Sequence, residues 1–325
     1  MKQVVIVIPK GKVTLSSVTG AFQVLNSANA YWQRIGNKSK MEVRIAGFMS
    51  ELKLDAGYFS IHPINIKEIK KADLIIIPSC AYDENFIGDN KLLIHWVTKQ
   101  YHAGAEIASI CSGAFLLAST GLIDGKSCST HWNLANHFRQ LFPDVDLQPD
   151  KLITDENGIY TNGGAFSFLN LMIYLVEKYF NRETAIFCTK VFQIEVDRNS
   201  QSTFAIFTGQ KQHGDEMVVK AQAYIEKNLH EKISVEHLSS KFAVGRRNFD
   251  RRFVKATGNT PLEYAQRVKI ESAKKTLENT RKTINEVMYD VGYSDIKAFR
   301  EVFRKITGMS PIEYKGKYNK EAVLG

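Results

Sequence analysis

Over the first two-thirds of the chain, short β-branched runs alternate with stretches of helical period. Val4–Ile8 is a continuous apolar run, followed by an amphipathic stretch at about Gly20–Ile35. Glu42–Ala46 reads as a second strand, and Asp73-Leu74-Ile75-Ile76-Ile77-Pro78 as a buried strand that ends at its proline. Lys91–His102 has helical spacing, and Glu106–Ile110 reads as another strand. Apolar strands separated by helices predict a parallel sheet covered on both faces. Asp155-Glu156-Asn157-Gly158 predicts a hairpin turn, with helices following at Phe166–Tyr179 and Glu183–Phe192.

The last third has a different rhythm and an internal repeat. At an offset of 50 residues, Phe249, Phe253, Lys255, Thr257-Gly258, Pro261 and Glu263-Tyr264 recur as Phe299, Phe303, Lys305, Thr307-Gly308, Pro311 and Glu313-Tyr314. Upstream of each copy lies a short helical pattern, Val235-x-x-Leu238 or Ile284-x-x-Val287. A turn follows, Phe242-Ala243-Val244 or Gly292-Tyr293-Ser294, and then a basic helix. Two short helices joined by a tight turn form a helix-turn-helix, and Gly292 suits the left-handed position of such a turn. Between the copies, Pro261–Glu278 reads as a helical connector. A connector of this kind suits two recognition helices entering successive major-groove faces, about 34 Å apart.

Helical geometry sorts the side chains of the two basic helices. Phe249 and Phe253 share one face and belong to a core, so Arg246, Arg247, Asp250 and Arg251 project outward. In the second copy Phe299 and Phe303 are core, leaving Ile296, Lys297, Arg300, Glu301 and Arg304 outward. Arginine is the side chain best shaped for bidentate contact with guanine. Charge follows the same division. The chain of 325 residues carries 43 Lys+Arg and 34 Asp+Glu, a formal net of +9. Residues 1–215 hold 21 basic and 20 acidic side chains, and residues 216–325 hold 22 and 14. Nearly all the excess therefore lies in the repeat, as expected where a double-stranded DNA reader is joined to an electrically neutral domain.

Other classes are excluded by composition. The run after Met1-Lys2 is too short for a secretory signal core, and Leu74–Ile77 and Phe168–Val176 are too short or too interrupted to span a bilayer. Cys80, Cys111, Cys128 and Cys188 have neither CxxC nor His-paired spacing. The expectation is a cytoplasmic protein with reduced thiols, no metal, no cofactor and no membrane partner.

One segment of the first part carries chemistry. In Ala108-Ser109-Ile110-Cys111-Ser112-Gly113-Ala114-Phe115, a strand enters Cys111, small residues follow, and a helical pattern begins at Gly113. That is the layout of a nucleophile elbow, where a helix N-terminus is expected to favour a thiolate or a bound anion. Downstream, Ser129-Thr130-His131-Trp132 supplies an imidazole, and Asn162-Gly163-Gly164-Ala165 a loop suited to close backbone approach. With Cys111-Ser112-Gly113-Ala114-Phe115-Leu116-Leu117-Ala118, Gly121-Leu122-Ile123-Asp124-Gly125-Lys126, Thr130-His131-Trp132, Asp150-Lys151-Leu152, Thr161-Asn162-Gly163-Gly164, Arg198 and Gln201, residues 1–205 resemble the PfpI type of the class I glutamine-amidotransferase-like superfamily. The resemblance implies a flavodoxin-like α/β three-layer sandwich with Cys111 at the elbow and His131 nearby.

Departures from that family set the functional expectation. Its catalytic members place a histidine directly after the elbow cysteine, where this chain has Ser112. Aligning Gly20-Ala21-Phe22-Gln23-Val24-Leu25 puts Ser17 where related branches carry a polarising carboxylate. Cys111 and His131 are then vestigial catalytic candidates without an orienting acid. The domain reads as a sensor, with Ser17, Cys111, Ser112, His131, Gly163 and Gly164 as its ligand-binding candidates.

The run Asp290-x-Gly292-Tyr293-Ser294-Asp295-x-x-x-Phe299-x-x-x-Phe303-Arg304-x-x-x-Gly308-x-Ser310-Pro311 resembles the AraC/XylS DNA-binding domain, an all-α tandem helix-turn-helix. Gly245 stands where that family usually has a serine N-cap, and Glu301 where it usually has arginine. Together the halves resemble the GlxA-type branch. The expected organisation is a sensor over 1–207, a linker over 208–216, a DNA-binding domain over 217–318 and a tail over 319–325. The expected function is a sequence-specific transcriptional regulator that answers a small-molecule effector, with RNA polymerase as a further partner and a homodimer as its assembly. The alternative is a cysteine-dependent amidase or deglycase fused to a DNA-binding module.

Overall fold

In the computed structural model, residues 2–195, 200–211, 213–231 and 233–319 are described. Packing divides the chain after Gln201 into two units, 1–201 and 202–325. Sequence patterning groups 202–207 with the first instead.

The first unit runs β1 (Lys2–Ile8), α1 (Leu15–Arg34), β2 (Met41–Gly47), β3 (Leu52–Leu54), β4 (Phe59–Ile61), β5 (Ile64–Asn65), β6 (Leu74–Ile77), α2 (Phe86–Asp89), α3 (Lys91–His102), β7 (Glu106–Ile110), α4 (Gly113–Ala118), β8 (Ser127–Cys128), α5 (Ala135–Leu141), β9 (Asp146–Leu147), β10 (Ile153–Glu156), β11 (Ile159–Asn162), α6 (Phe168–Tyr179) and α7 (Arg182–Val191). Seven of the strands form one sheet in the order β10-β11-β7-β6-β1-β2-β5, parallel except where β10 meets β11. Val4–Ile8 and Leu74–Ile77 are buried throughout, which is why their sequence is apolar without alternation. The β10–β11 hairpin turns at Asn157 and Gly158, both with positive φ as a type I′ turn requires.

Helix α1 begins at Leu15, a turn and a half before the predicted start. Its first turn is rich in Ser and Thr, which are weak helix formers, and is held by burial of Val18 with Ala21, Val24, Leu25 and Ala28. Strands β3, β4, β5, β8 and β9 are two or three residues long, too short to leave a period in the sequence.

The second unit comprises α8 (Glu216–Lys227), α9 (Val235–Lys241), α10 (Arg246–Thr257), α11 (Pro261–Asn279), α12 (Ile284–Asp290), α13 (Ile296–Thr307) and α14 (Pro311–Tyr318). It has two hydrophobic cores, one built on Phe249 and Phe253 and the other on Phe299 and Phe303. The connector α11 serves both, giving Tyr264 and Ala265 to the first and Ile270, Ala273 and Leu277 to the second. Leu262, part of the predicted apolar pattern, lies exposed in its first turn.

Most of the repeated identities have a local cause. Gly258 and Gly308 end α10 and α13 in the left-handed conformation that favours glycine. Thr257 and Thr307 each donate from Oγ1 to the carbonyl four residues back, that of Phe253 or Phe303, at 2.8 Å. Pro261 and Pro311 occupy the first helical turn beside complete capping boxes, Thr260 with Glu263 and Ser310 with Glu313. Tyr264 and Tyr314 stand edge-on to Phe253 and Phe303, at centroid separations of 5.4 and 5.5 Å. Lys255 and Lys305 are exposed, and packing does not account for them.

Candidate functional site

The elbow is strained where the sequence places its cysteine. Cys111 has φ 55°, a left-handed conformation uncommon outside glycine. Its amide donates to Asn162 O at 3.0 Å, and its carbonyl accepts from Thr130 Oγ1 at 2.9 Å. Gly113 then lets α4 settle onto β6, since a Cβ there would lie 2.6 Å from Pro78 O and 2.7 Å from Ile77 O.

Burial pushes Cys111 above the ordinary thiol range, outweighing hydrogen bonds from Ser79 and Ser112 that favour ionisation. The helix that starts beneath it, α4, has only six residues, and Cys111 is 7% exposed. His131 is half-buried, its Nδ1 accepts the Asn133 amide at 3.1 Å, and burial holds its pKa below the usual imidazole value. Among the described residues, no hydrogen bond joins it to Cys111. Alkylation of Cys111 by iodoacetamide, measured as the difference from Cys111→Ala, should therefore be slower than that of a free thiol near pH 7. The rate should climb as pH passes above about 9. A plateau reached by about pH 7 would instead mark an activated thiolate.

A hydroxyl network links Ser17 to the elbow. Ser17 Oγ donates to Thr14 O at 2.7 Å and accepts the Ser79 amide at 3.1 Å. Ser79 Oγ and Ser112 Oγ are 2.9 Å apart, and Ser112 Oγ accepts the Cys80 amide at 3.1 Å. These groups tie the first turn of α1 to the segments around Ser79 and Ser112 with neutral hydroxyls, so no fixed negative charge stands beside the elbow in this network. Ser112 also lines a cavity of about 410 Å³, with Lys12, Thr14, Tyr82, Phe115 and His137 among its walls. Tyr82 and Phe115 lie 5.0 Å apart, and His137 lies 5.6 Å from Phe115. Burial raises the Tyr82 pKa, keeping its phenol a donor. The lining residues include no carboxylate.

The remaining ligand candidates are placed otherwise. Ser17 is buried within the network and meets the cavity lining indirectly, through Thr14 and through Ser79. Gly163 and Gly164 form a bed for Gln201, since a Cβ on Gly163 would lie 2.1 Å from Gln201 Nε2. Arg198, part of the family resemblance, lies outside the described residues.

On the second unit, Arg246, Arg247, Arg251, Lys297, Arg300, Glu301 and Arg304 are exposed, and Asp250 is half-buried. Ile296 is half-buried against the second core rather than directed fully outward. Arg246 pairs with Glu236 at 2.6 Å, Arg251 donates to Asn248 Oδ1 at 3.2 Å, and Arg304 stands 4.0 Å from Glu313. Arg247, Lys297 and Arg300 form no ion pair with a described residue. The first turn closes with Ala243 at φ 51° and the second with Gly292 at φ 71°. Gly292 has no room for a side chain, because a Cβ would lie 2.4 Å from His230 O. Gly245 caps α10 without a side chain, whereas Asp295 caps α13 by accepting the Lys297 amide at 2.8 Å. Arg252 is structural, donating to both oxygens of Asp215 at 2.9 and 2.7 Å. That pairing holds the Asp215 carboxyl below the usual carboxylate range.

These features define a protein class: an α/β elbow domain followed in the chain by a duplicated helix-turn-helix. Residues 2–178 match the DJ-1/PfpI family, and the chain belongs to that family. Residues 238–317 match a helix-turn-helix domain. The chain is 27% identical over 222 residues to the HTH-type transcriptional regulator GbdR of Pseudomonas aeruginosa, covering 67% of this chain and 59% of that protein. It is 25% identical over 213 residues to the HTH-type transcriptional regulator GlxA of Rhizobium meliloti, covering 64% of each. The matched span is thus less than two thirds of these relatives' length. A crystal structure of a putative transcriptional regulator protein from Vibrio parahaemolyticus shares the α/β fold, with a TM-score of 0.53 and 21% identity over 58% of this chain and 98% of that one. The resemblances read from the sequence, to a PfpI-type domain and to GlxA-type helix-turn-helix regulators, agree with these matches.

Proposed function

We propose that this protein is a sequence-specific DNA-binding transcriptional regulator whose α/β domain senses a small molecule. The observation that carries it is the duplicated helix-turn-helix with Arg247, Arg251, Lys297 and Arg300 exposed on its two second helices. Relatives named as HTH-type transcriptional regulators support the same reading. Double-stranded DNA is the partner. Contact with RNA polymerase, homodimer formation and a cytoplasmic location belong to the proposal. Among the described residues no helix is long and apolar enough to cross a membrane.

The effector site is assigned to the cavity beside Ser112, where aromatic walls meet hydroxyls and Lys12. A small molecule with an apolar body and an acceptor or anionic group fits such a lining. Sensing is favoured over turnover by the raised Cys111 pKa and by the hydroxyls that replace an orienting acid. The boundary of 1–207 read from the sequence gives way to the packing division after Gln201, and a DNA-binding domain over 217–318 stands as part of the same proposal.

Binding-site selection followed by fluorescence anisotropy tests the DNA reading. Arg247→Ala with Arg251→Ala should lower affinity for the selected duplex by about 1–3 kcal/mol for each base that an arginine no longer reaches, and should relax its sequence preference. Unchanged specificity with an unchanged salt slope would remove these residues from the interface.

A further inference from the structure

Gln201 has no part in the proposed DNA interface or effector cavity, yet its side chain is among the most fully engaged in the first unit. It is 2% exposed. Its Nε2 donates to Thr130 O at 2.8 Å and Pro149 O at 2.7 Å, and its Oε1 accepts the Trp132 amide at 3.1 Å. Its own amide donates to Asp150 O at 3.1 Å. Thr130 in turn holds the carbonyl of the strained Cys111, so Gln201 is two hydrogen bonds from the elbow.

The next residue, Ser202, begins the second unit. The segment that follows is clipped onto helices of that unit by backbone groups and buried charges. Thr203 Oγ1 donates to Thr307 O at 3.1 Å, at the end of α13. Lys274 Nζ donates to Ala205 O at 2.6 Å, and Glu271 Oε2 accepts the Phe207 amide at 3.1 Å. Lys274 and Glu271 also pair at 2.7 Å, with side chains only 5% and 11% exposed. Phe207 stands edge-on to Tyr264 at 5.1 Å. The stretch 201–207 thus has its near end fixed to the elbow loops and its far end fixed to α11, the helix shared by both DNA-reading cores.

We propose that Gln201 and residues 202–207 are a coupling strap that transmits the state of the elbow loops to connector α11, and the state of α11 back. The proposal rests on the DNA-binding reading and goes beyond it by naming the route. A rearrangement at Thr130 or Trp132 displaces Gln201, whose buried amide is fully committed to those loops. The strap then cannot move without unsatisfying Ala205 O and the Phe207 amide and taking one hydrogen bond from each member of a buried ion pair. Coupling is reciprocal, so DNA bound to the second unit must be felt at the elbow loops even with no effector present.

Hydrogen–deuterium exchange of the full chain tests this, with the duplex recovered by selection as the probe. Saturation of each variant is verified by anisotropy. In the wild-type protein the duplex should change exchange in peptides covering residues 126–134 and 160–167 by about fivefold or more. In Gln201→Ala, and separately in the double variant Glu271→Leu/Lys274→Met, that change should vanish at the same saturation. If Gln201→Ala fails to fold, the double variant, whose lesion lies in the other unit, carries the test alone. No response in the wild type, or a response that survives cutting the strap at a folded variant's end, overturns the strap. Failure of the wild type to bind any duplex instead sinks the DNA-binding reading, and anisotropy reports that separately.

Discussion

Phe303→Ala is expected to destabilise the second unit by about 3–5 kcal/mol and to abolish specific DNA binding. Phe303 is fully buried and packs at 5.8 Å from Phe299 and 5.5 Å from Tyr314, in a core shared with Ile270, Leu277 and Met288. A small core has little means of closing over a benzyl-sized void, so the cavity remains and the cost stays near the upper end of the range. Lys297 and Arg300 lie on the same helix and lose their fixed geometry with it. The three tryptophans, Trp32, Trp96 and Trp132, all lie in the first unit. Urea unfolding followed by tryptophan fluorescence should therefore be unchanged, while the far-UV circular dichroism transition of the helical unit moves to lower urea. Equal shifts of both signals would show that the units unfold together and would overturn the assignment of Phe303 to an independent core.

The offset-50 repeat was legible because most of its identities answer a local demand of the chain, Lys255 and Lys305 aside. A glycine ends α10 and α13, a threonine bonds back onto each, a proline and a glutamate begin each following helix, and a tyrosine meets each phenylalanine. Local demands leave marks at fixed spacing, and a single sequence displays them. The elbow was legible for the same reason, since Cys111 and Gly113 lie two residues apart in one strand-to-helix turn.

What escaped was assembled from distant pieces. The Ser17–Ser79–Ser112 network joins three segments 62 and 33 residues apart, and serines carry no spacing signal of their own. Pattern shows the helix start beneath Cys111 but not how deeply the sulfur is buried, and that burial raises the thiol's pKa. Gly163 and Gly164 suggested room for a ligand, and in the structure Gln201, 38 and 37 residues onward, lies against them. Segment 202–207 reads as the end of one domain because its anchors are backbone groups, which no side-chain pattern reveals. The connector was legible as a helix, yet its two buried charges gave no hint that they serve the strap.

Those charges carry the second large effect. Lys274→Met is expected to cost the second unit about 3–5 kcal/mol, because it leaves Glu271 buried with its ion partner removed and Ala205 O without its donor. A Glu271→Leu change alone should cost a similar amount for the mirror reason, stranding the ammonium. Two isolated losses of that size would sum to about 6–10 kcal/mol if the residues acted independently. They do not, since each penalty is the cost of leaving the other charge unpaired. The double variant removes both ions, fills the space with apolar side chains of similar volume, and should lose far less than either single change. A double-mutant cycle read by circular dichroism in urea measures the difference. A cycle that closes additively would mean that solvent or another group neutralises each charge, and that the pair is not the clasp of the strap.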